Sequence, residues 1–259
     1  MSKVAVIPVR SNSLHFTNIK NKDIRLVGNK SLIRWITETV IHSREFDNIY
    51  ISTNSDKIFN TLKGLPVKRY VPPEFFVNTK APILDEMMDM MSNIPRHDIF
   101  AYFLPSCIFL HSKYIKEGIA KLSERVDSVV SVSYYSEPIQ EACIKHGDSI
   151  IPIFDNLAHS LTNNIKQYVK PNGGFYISRW EQLIKNKNFF KGDIQGVLIP
   201  KDTMIHIKSP YDFQLAEMLY ENIVSKREID VPIVEGQFDT FEEYMERKKM
   251  GKKKEYNNY

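Results

Sequence analysis

The residues best equipped for chemistry lie near the N-terminus. Pro8 to Asp23 reads PVRSNSLHFTNIKNKD and gathers Arg10, Ser11, Asn12, Ser13, Lys20 and Lys22 in one polar segment. Arg can grip phosphate oxygens bidentately, Lys supplies a point charge, and small residues let backbone N–H groups approach oxygens, so the set suits a triphosphate. Loops are polar in any case, and neither GxGxxG nor a Walker-type GxxxxGK occurs, so residue types alone leave phosphate binding and a plain solvated loop both open.

The elements that must position this loop can be read from hydrophobic pattern. Val4 to Val9 is apolar and β-branched, which suits a strand buried on both faces of a parallel sheet. After the loop, Leu32, Ile33, Ile36, Val40 and Ile41 recur at helical spacing, with Ser31 placed as N-cap. Strand and helix then alternate: strands at Asn48–Ser52, Val67–Val71, Ile99–Leu104 and Ser128–Ser133, helices at Asp56–Lys63, Pro82–Met91 and Lys113–Glu124. The expected fold is therefore three-layer α/β/α with a mainly parallel sheet, and ligands in such sheets sit at the carboxyl ends of strands, where the loop leaves the first strand.

The rhythm breaks between Ser136 and Phe190, where short β-like stretches at Ala142–Lys145 and Gly174–Ile177 stand between polar loops. We expect this excursion, residues 136–190, to shape a substrate site or a subunit contact. A strand at Thr203–Ile207 and a helix at Tyr211–Ile223 restore the pattern, giving a domain over residues 1–225 and a C-terminal extension over 226–259. Phe238, Phe241 and Tyr244 suggest a short amphipathic helix there, before a basic end.

Composition excludes several classes. Apolar residues at 42% and charged residues at 25% describe an ordinary globular chain, not a disordered or fibrous one. Lys and Arg, 35, exceed Asp and Glu, 31, only slightly, and the excess gathers in the tail from Arg247 to Lys254. A mobile terminus explains that tail better than a nucleic-acid partner. Cys107 and Cys143 have no CxxC spacing, so neither disulfides nor zinc is expected, and a cytoplasmic location follows. No apolar run suits a signal peptide or membrane span. Met87, Met90 and Met91 read as core or dimer packing, Cys107 as a buried small residue, and Asp85 and Glu86 as solvent-facing; His15, His111, His146 and His159 are not expected to be catalytic.

Several segments, in order along the chain, carry a family resemblance. IPVRSNS with KNKDIRLVGNKSLIRWITETV, FDNIYISTNSD, VPPEF, DSVVSVSYYSEPIQEAC, PNGGFYIS and IKSPYDFQLAE resemble the N-acylneuraminate cytidylyltransferases, the CMP-sialic acid synthetases and their CMP-pseudaminic and CMP-legionaminic relatives. The resemblance spans about residues 3–223 and implies a Rossmann-like nucleotidyltransferase sheet with an inserted dimerisation and substrate excursion. It implies transfer of CMP from CTP to the anomeric hydroxyl of a nonulosonic acid, with release of pyrophosphate, dependence on Mg²⁺ and assembly as a homodimer. By position, Pro8, Arg10, Ser11, Asn12, Ser13, Lys22 and Ser106 would bind nucleotide, and Arg10, Lys22 and Lys208 would be catalytic. Gln140, Asn172, Gly173 and Tyr176 would lie toward the sugar.

The chain also departs from the family pattern, at chemically important positions. Two metal-binding Asp residues on the closing strand are His206 and Lys208 here. The first-loop glycines are Ser11 and Asn12, the Lys that follows is Leu14, and the Asn after Lys22 is Asp23. The Leu-Gln-Pro-Thr-Ser-Pro segment reads Phe103 to Ile108, without its Gln, and the Arg-Gln pair before the Asn-Gly strand reads Thr162-Asn163. Lys cannot ligate Mg²⁺ while protonated, and imidazole suits so hard an ion poorly. Two readings follow: Lys208 supplies a fixed ammonium, or Asp202 and Asp212 recruit the metal, and transfer continues; alternatively, a catalytically degenerate member keeps the fold for nucleotide binding or partner regulation.

Overall fold

A computed structural model of the chain describes residues 1–9, 21–78, 82–154 and 168–226. Its first strand shows why the opening sequence is almost wholly apolar. In β1 (Lys3–Pro8), Val4 and Val6 enter one core cluster while Ala5 and Ile7 enter another, so alternate residues are buried on opposite faces. Val4, Val6 and Ile7 each contribute on the order of 2 kcal/mol on burial.

A small hairpin, β2 (Leu26–Val27) with β3 (Lys30–Ser31), leads into α1 (Leu32–Ser43). Ser31 caps this helix, its hydroxyl accepting from the Arg34 N–H at 3.4 Å. Then come β4 (Asn48–Ser52), α2 (Asp56–Asn60), β5 (Lys68–Tyr70), α3 (Glu74–Asn78), α4 (Ile83–Asn93) and β6 (Ile99–Tyr102). A two-residue strand β7 (Cys107–Ile108) precedes α5 (Ser112–Lys121) and β8 (Ser128–Tyr134). The chain next makes the hairpin β9 (Cys143–His146) with β10 (Ser149–Pro152), and returns as the long β11 (Val169–Arg179) and α6 (Trp180–Asn186). It continues through β12 (Ile194–Leu198), β13 (Ile205–His206) and α7 (Pro210–Lys226).

The main sheet has the order β12-β8-β11-β6-β1-β4-β5. Its pairs are parallel except those of β11, which runs antiparallel to both β6 and β8. Residues of α1, α2 and α5 line one core, and Met87, Met90, Met91, Trp180 and Leu183 from α4 and α6 line the other. The three-layer, mainly parallel α/β expectation is met.

Some expectations need correcting. The excursion does not extend to Phe190: β11 is a central strand and α6 a core helix, so the departure from the sheet closes before Val169. Pro171 and two glycines disguise β11, because its pairing with β8 shifts register between Pro171 and Tyr176. The sequence pattern also omits β12, an edge strand whose Gly and exposed positions weaken its signature. The strand expected at Thr203–Ile207 is only Ile205–His206, and it pairs with β7 outside the main sheet. Asp85 faces solvent, but Glu86 is fully buried and accepts a 2.6 Å hydrogen bond from the Ser52 hydroxyl. The extension from residue 227 onward lies outside the described residues.

A third core cluster braces the region that matters for function. Val27, Leu32, Trp35, Ile108, Phe109, Ile205, Ile207 and Ala216 join the hairpin, α1, the β7–β13 pair and α7. Trp35 packs edge-on against Phe109 and Tyr220, at 5.6 and 5.8 Å between centroids, and its indole N–H donates to the Val27 carbonyl. Gly28, at φ +62°, lies under the Tyr220 ring, where a Cβ would come within 2.1 Å of ring carbon.

Candidate functional site

Lys22 opens the short 3-10 turn Lys22–Ile24 that follows the first loop. Its ammonium donates to the Ile207 carbonyl at 3.2 Å, which fixes the end of the first loop to the end of β13. Asp23, the next residue, is buried, and among the described residues its Oδ1 has no hydrogen-bond partner. Burial pushes its carboxyl pKa upward, against the opposing influence of Lys22.

The β7–β13 pair sets the other side. Cys107 faces His206 and Ile108 faces Ile205, and the Ile207 N–H donates to the Ser106 carbonyl at 2.9 Å. Ile207 is fully buried, so the alternate residues His206 and Lys208 turn to the other side, where Lys208 is exposed. Gly173 reaches this spot from β11 at φ +85°; a Cβ there would come within 2.7 Å of Leu104 Cδ1 and 3.0 Å of the His206 ring. A side chain at 173 would displace the imidazole.

The Asn172 amide is occupied within the protein. Its Oδ1 accepts from the Ser131 hydroxyl at 2.6 Å and from the Gly174 N–H at 3.1 Å, while its Nδ2 donates to Ser133 Oγ at 2.9 Å. Its carbonyl accepts from the Cys107 thiol at 3.7 Å, and its backbone also hydrogen-bonds His206. Asn172 therefore holds the bulge of β11 against β7 and β13. Tyr176 stacks on Tyr102 at 5.5 Å and packs against Phe189 and Phe190, in the aromatic layer beneath the same strand.

Electrostatics distinguish this corner. His206 is held down to about 4, first by burial and then by Lys208 and Lys22, with the Asn172 backbone and Asp212 pulling the other way. Burial pushes the Cys107 thiol up strongly, opposed by the same two lysines. Two ammoniums thus act on one imidazole and one buried thiol. A positive corner at the carboxyl edge of a sheet is suited to an anion.

The fit to magnesium is poor. Asp212 Oδ2 accepts from the Lys208 and Ser209 N–H groups, at 2.9 and 2.8 Å, and from the Ser209 hydroxyl at 2.9 Å, while Ser209 Oγ accepts from the Asp212 N–H. This is a reciprocal N-terminal cap of α7, and it occupies the Oδ2 oxygen of the carboxylate. Asp202 lies in the turn Lys201–Thr203, its side chain outside the described groups. With an imidazole and an ammonium at 206 and 208, the described donors do not make the oxygen cage that Mg²⁺ takes. Among the described residues no group of three or more His, Cys, Asp or Glu could hold a metal ion.

The structure thus brings together Lys22, Ser106, Asn172, Gly173 and Lys208 with His206 and Cys107. Pro8 ends β1, the strand from which the first loop departs, and Gln140 lies in the turn Ile139–Glu141 on the excursion. Arg10, Ser11, Asn12 and Ser13 lie outside the described residues, as do Thr162 and Asn163. Sequence reasoning missed the Ile207 carbonyl, because main-chain acceptors leave no residue-type signal, and it gave Cys107 no place beside the lysines.

A cytidylyltransferase family model matches residues 4–140, more than half of the chain. The chain belongs to the cytidylyltransferase family. Among curated cytidylyltransferases, it is 24% identical to the N-acylneuraminate cytidylyltransferase of Escherichia coli O18:K1:H7 over 82% of its own length, but spans only 51% of that relative. It is 26% identical to the CMP-N,N'-diacetyllegionaminic acid synthase of Legionella pneumophila, over 85% of this chain and 97% of that one. Of solved structures, CMP:2-keto-3-deoxy-manno-octonic acid synthetase complexed with CTP matches at a TM-score of 0.63 and 12% identity, over 86% of this chain and 99% of that one. That likeness extends the fold, the sequence relatives extend the family, and no described helix is long and apolar enough to cross a membrane.

Proposed function

We propose that the chain transfers CMP from CTP to a nonulosonic or closely related acid sugar and releases pyrophosphate. The observation that carries this reading is the position of Lys22: the ammonium following the first loop is anchored on Ile207 at the carboxyl edge of the sheet, in a chain whose relatives are named for cytidylyl transfer to such acids. In the reaction the anomeric hydroxyl oxygen bonds to the α-phosphorus, the bond from that phosphorus to the bridging β-phosphate oxygen breaks to release pyrophosphate, and the hydroxyl proton passes to solvent. Catalysis of this kind is chiefly positioning and neutralisation of phosphate charge. Lys22 and Lys208 serve the phosphates, while the aromatic layer around Tyr176 and the bulge held by Asn172 shape the floor of the site.

The reading is tested by pyrophosphate release from the purified chain with CTP and a panel of nonulosonic acids. Release that requires both CTP and one of the acids is expected. Release independent of any acid, or none across the panel while CTP still binds, would overturn transfer in favour of a nucleotide-binding member without turnover.

We further propose that a second copy of the chain covers the β9–β10 hairpin. Ile144, Ile150 and Ile151 there are 56, 71 and 54% exposed, in a hairpin that stands off the core. Light scattering should report a dimer; a monomer at working concentrations would reject this assembly.

A further inference from the structure

The charge balance of the candidate site differs from that of a metal-dependent phosphate site. Lys22 and Lys208 both act on His206 and Cys107, and Lys22 bonds to the carbonyl of the residue immediately before Lys208. Neither ammonium has a carboxylate within ion-pair distance among the described residues. The two acids nearest in sequence are otherwise engaged: Asp212 in the cap of α7, and Asp23 in the interior. Lys208 is aimed by its backbone, since its N–H donates to Asp212 while the buried Ile207 beside it fixes which way the next residue turns.

We propose that this site binds the nucleotide's phosphates through Lys22 and Lys208 without a divalent cation, the two ammoniums supplying the neutralisation that a metal ion would otherwise provide. His206 fits the same design. A carboxylate at 206 would neutralise a lysine and repel phosphate, whereas an imidazole, its ring N–H already engaged by the Asn172 backbone, leaves both ammoniums available. Lysine acts here as a point charge on a flexible stem, so the clamp neutralises phosphate without templating it as rigidly as a metal would. The proposal rests on the reading that the site takes CTP.

Titration calorimetry with CTP and with inorganic pyrophosphate, first in EDTA and then in excess Mg²⁺, tests it. CTP is expected to bind in EDTA, and Mg²⁺ to leave the affinity within about threefold or weaken it by competing for the same oxygens. Lys208→Ala should weaken binding in EDTA about 10- to 100-fold, the loss of one charge-assisted contact, while Lys208→Arg retains most of it. Lys208 is exposed and its capping contact comes from the backbone, so thermal unfolding of both variants should match the parent. Binding only with Mg²⁺, or unchanged affinity in Lys208→Ala, overturns the clamp and leaves the nucleotide reading standing. No CTP binding in either buffer overturns that reading, and the clamp with it.

Discussion

Two lysines separated by a few residues sit in opposite electrostatic settings. Lys30 is buried, with its ammonium 2.6 Å from Glu38 and over the Trp35 ring at 5.1 Å; Glu38 also takes the Arg34 guanidinium at 2.8 Å. Lys22 is only partly buried and rests on a neutral carbonyl. In the first setting charge is compensated inside the fold, and the ion network holds α1 to the β2–β3 hairpin. In the second, no carboxylate among the described residues pairs with the ammonium, and on the proposed reading the nucleotide's phosphates supply its counter-charge. The comparison teaches that the burial of a cation matters less to function than whether its counter-charge belongs to the protein.

The largest effects should separate the two lysines cleanly. Lys22→Ala is expected to lower kcat/KM about 100- to 1000-fold, the usual cost of removing one donor aimed at developing charge, with stability changed by less than about 1 kcal/mol. Lys30→Ala should do the reverse. It leaves Glu38 buried with Arg34 as remaining partner, so unfolding stability should fall by about 2–4 kcal/mol while the folded fraction keeps its specific activity. Denaturant unfolding alongside initial rates measures both. Equal losses of stability in the two variants would erase the distinction.

How much of this could be read beforehand follows the same division between local and long-range causes. β1 and α1 were legible because alternation, helical periodicity and the Ser31 cap are local signals. β11 was legible only in part: Gly174–Ile177 read as a short β-like stretch within an excursion, and only pairing with β6 and β8, far away in sequence, makes Val169–Arg179 a central strand. Glu86 belongs with it, since its buried carboxylate meets Ser52 of β4, a partner distant in sequence. At the site, Lys22 could be named from residue type in the first loop, and Lys208 only from its place in the segment that resembles the family's closing strand. Their convergence could not, because it runs through a backbone oxygen of Ile207 and a two-residue pairing of β13 with β7.

The smaller effect concerns His206, which reports the uncompensated charge. Its value near 4 lies below the ordinary 6.5, so between those two limits the unfolded chain takes up a proton that the folded chain refuses. Stability should therefore be fully present above about pH 6.5, fall as pH drops toward 4, and level off below; the contribution is on the order of 3 kcal/mol at most. Burial is the first cause, and it persists in any lysine variant. The second cause is Lys208, so in Lys208→Ala the imidazole should titrate closer to 6.5 and the pH slope should shrink. Lys30→Ala should leave the imidazole where it is, because Lys30, paired with Glu38, is not among the groups that act on it. NMR titration of His206 in the three proteins decides the matter: equal displacement in both variants would mean that the two lysines project the same field, and that the contrast between compensated and uncompensated charge does not hold.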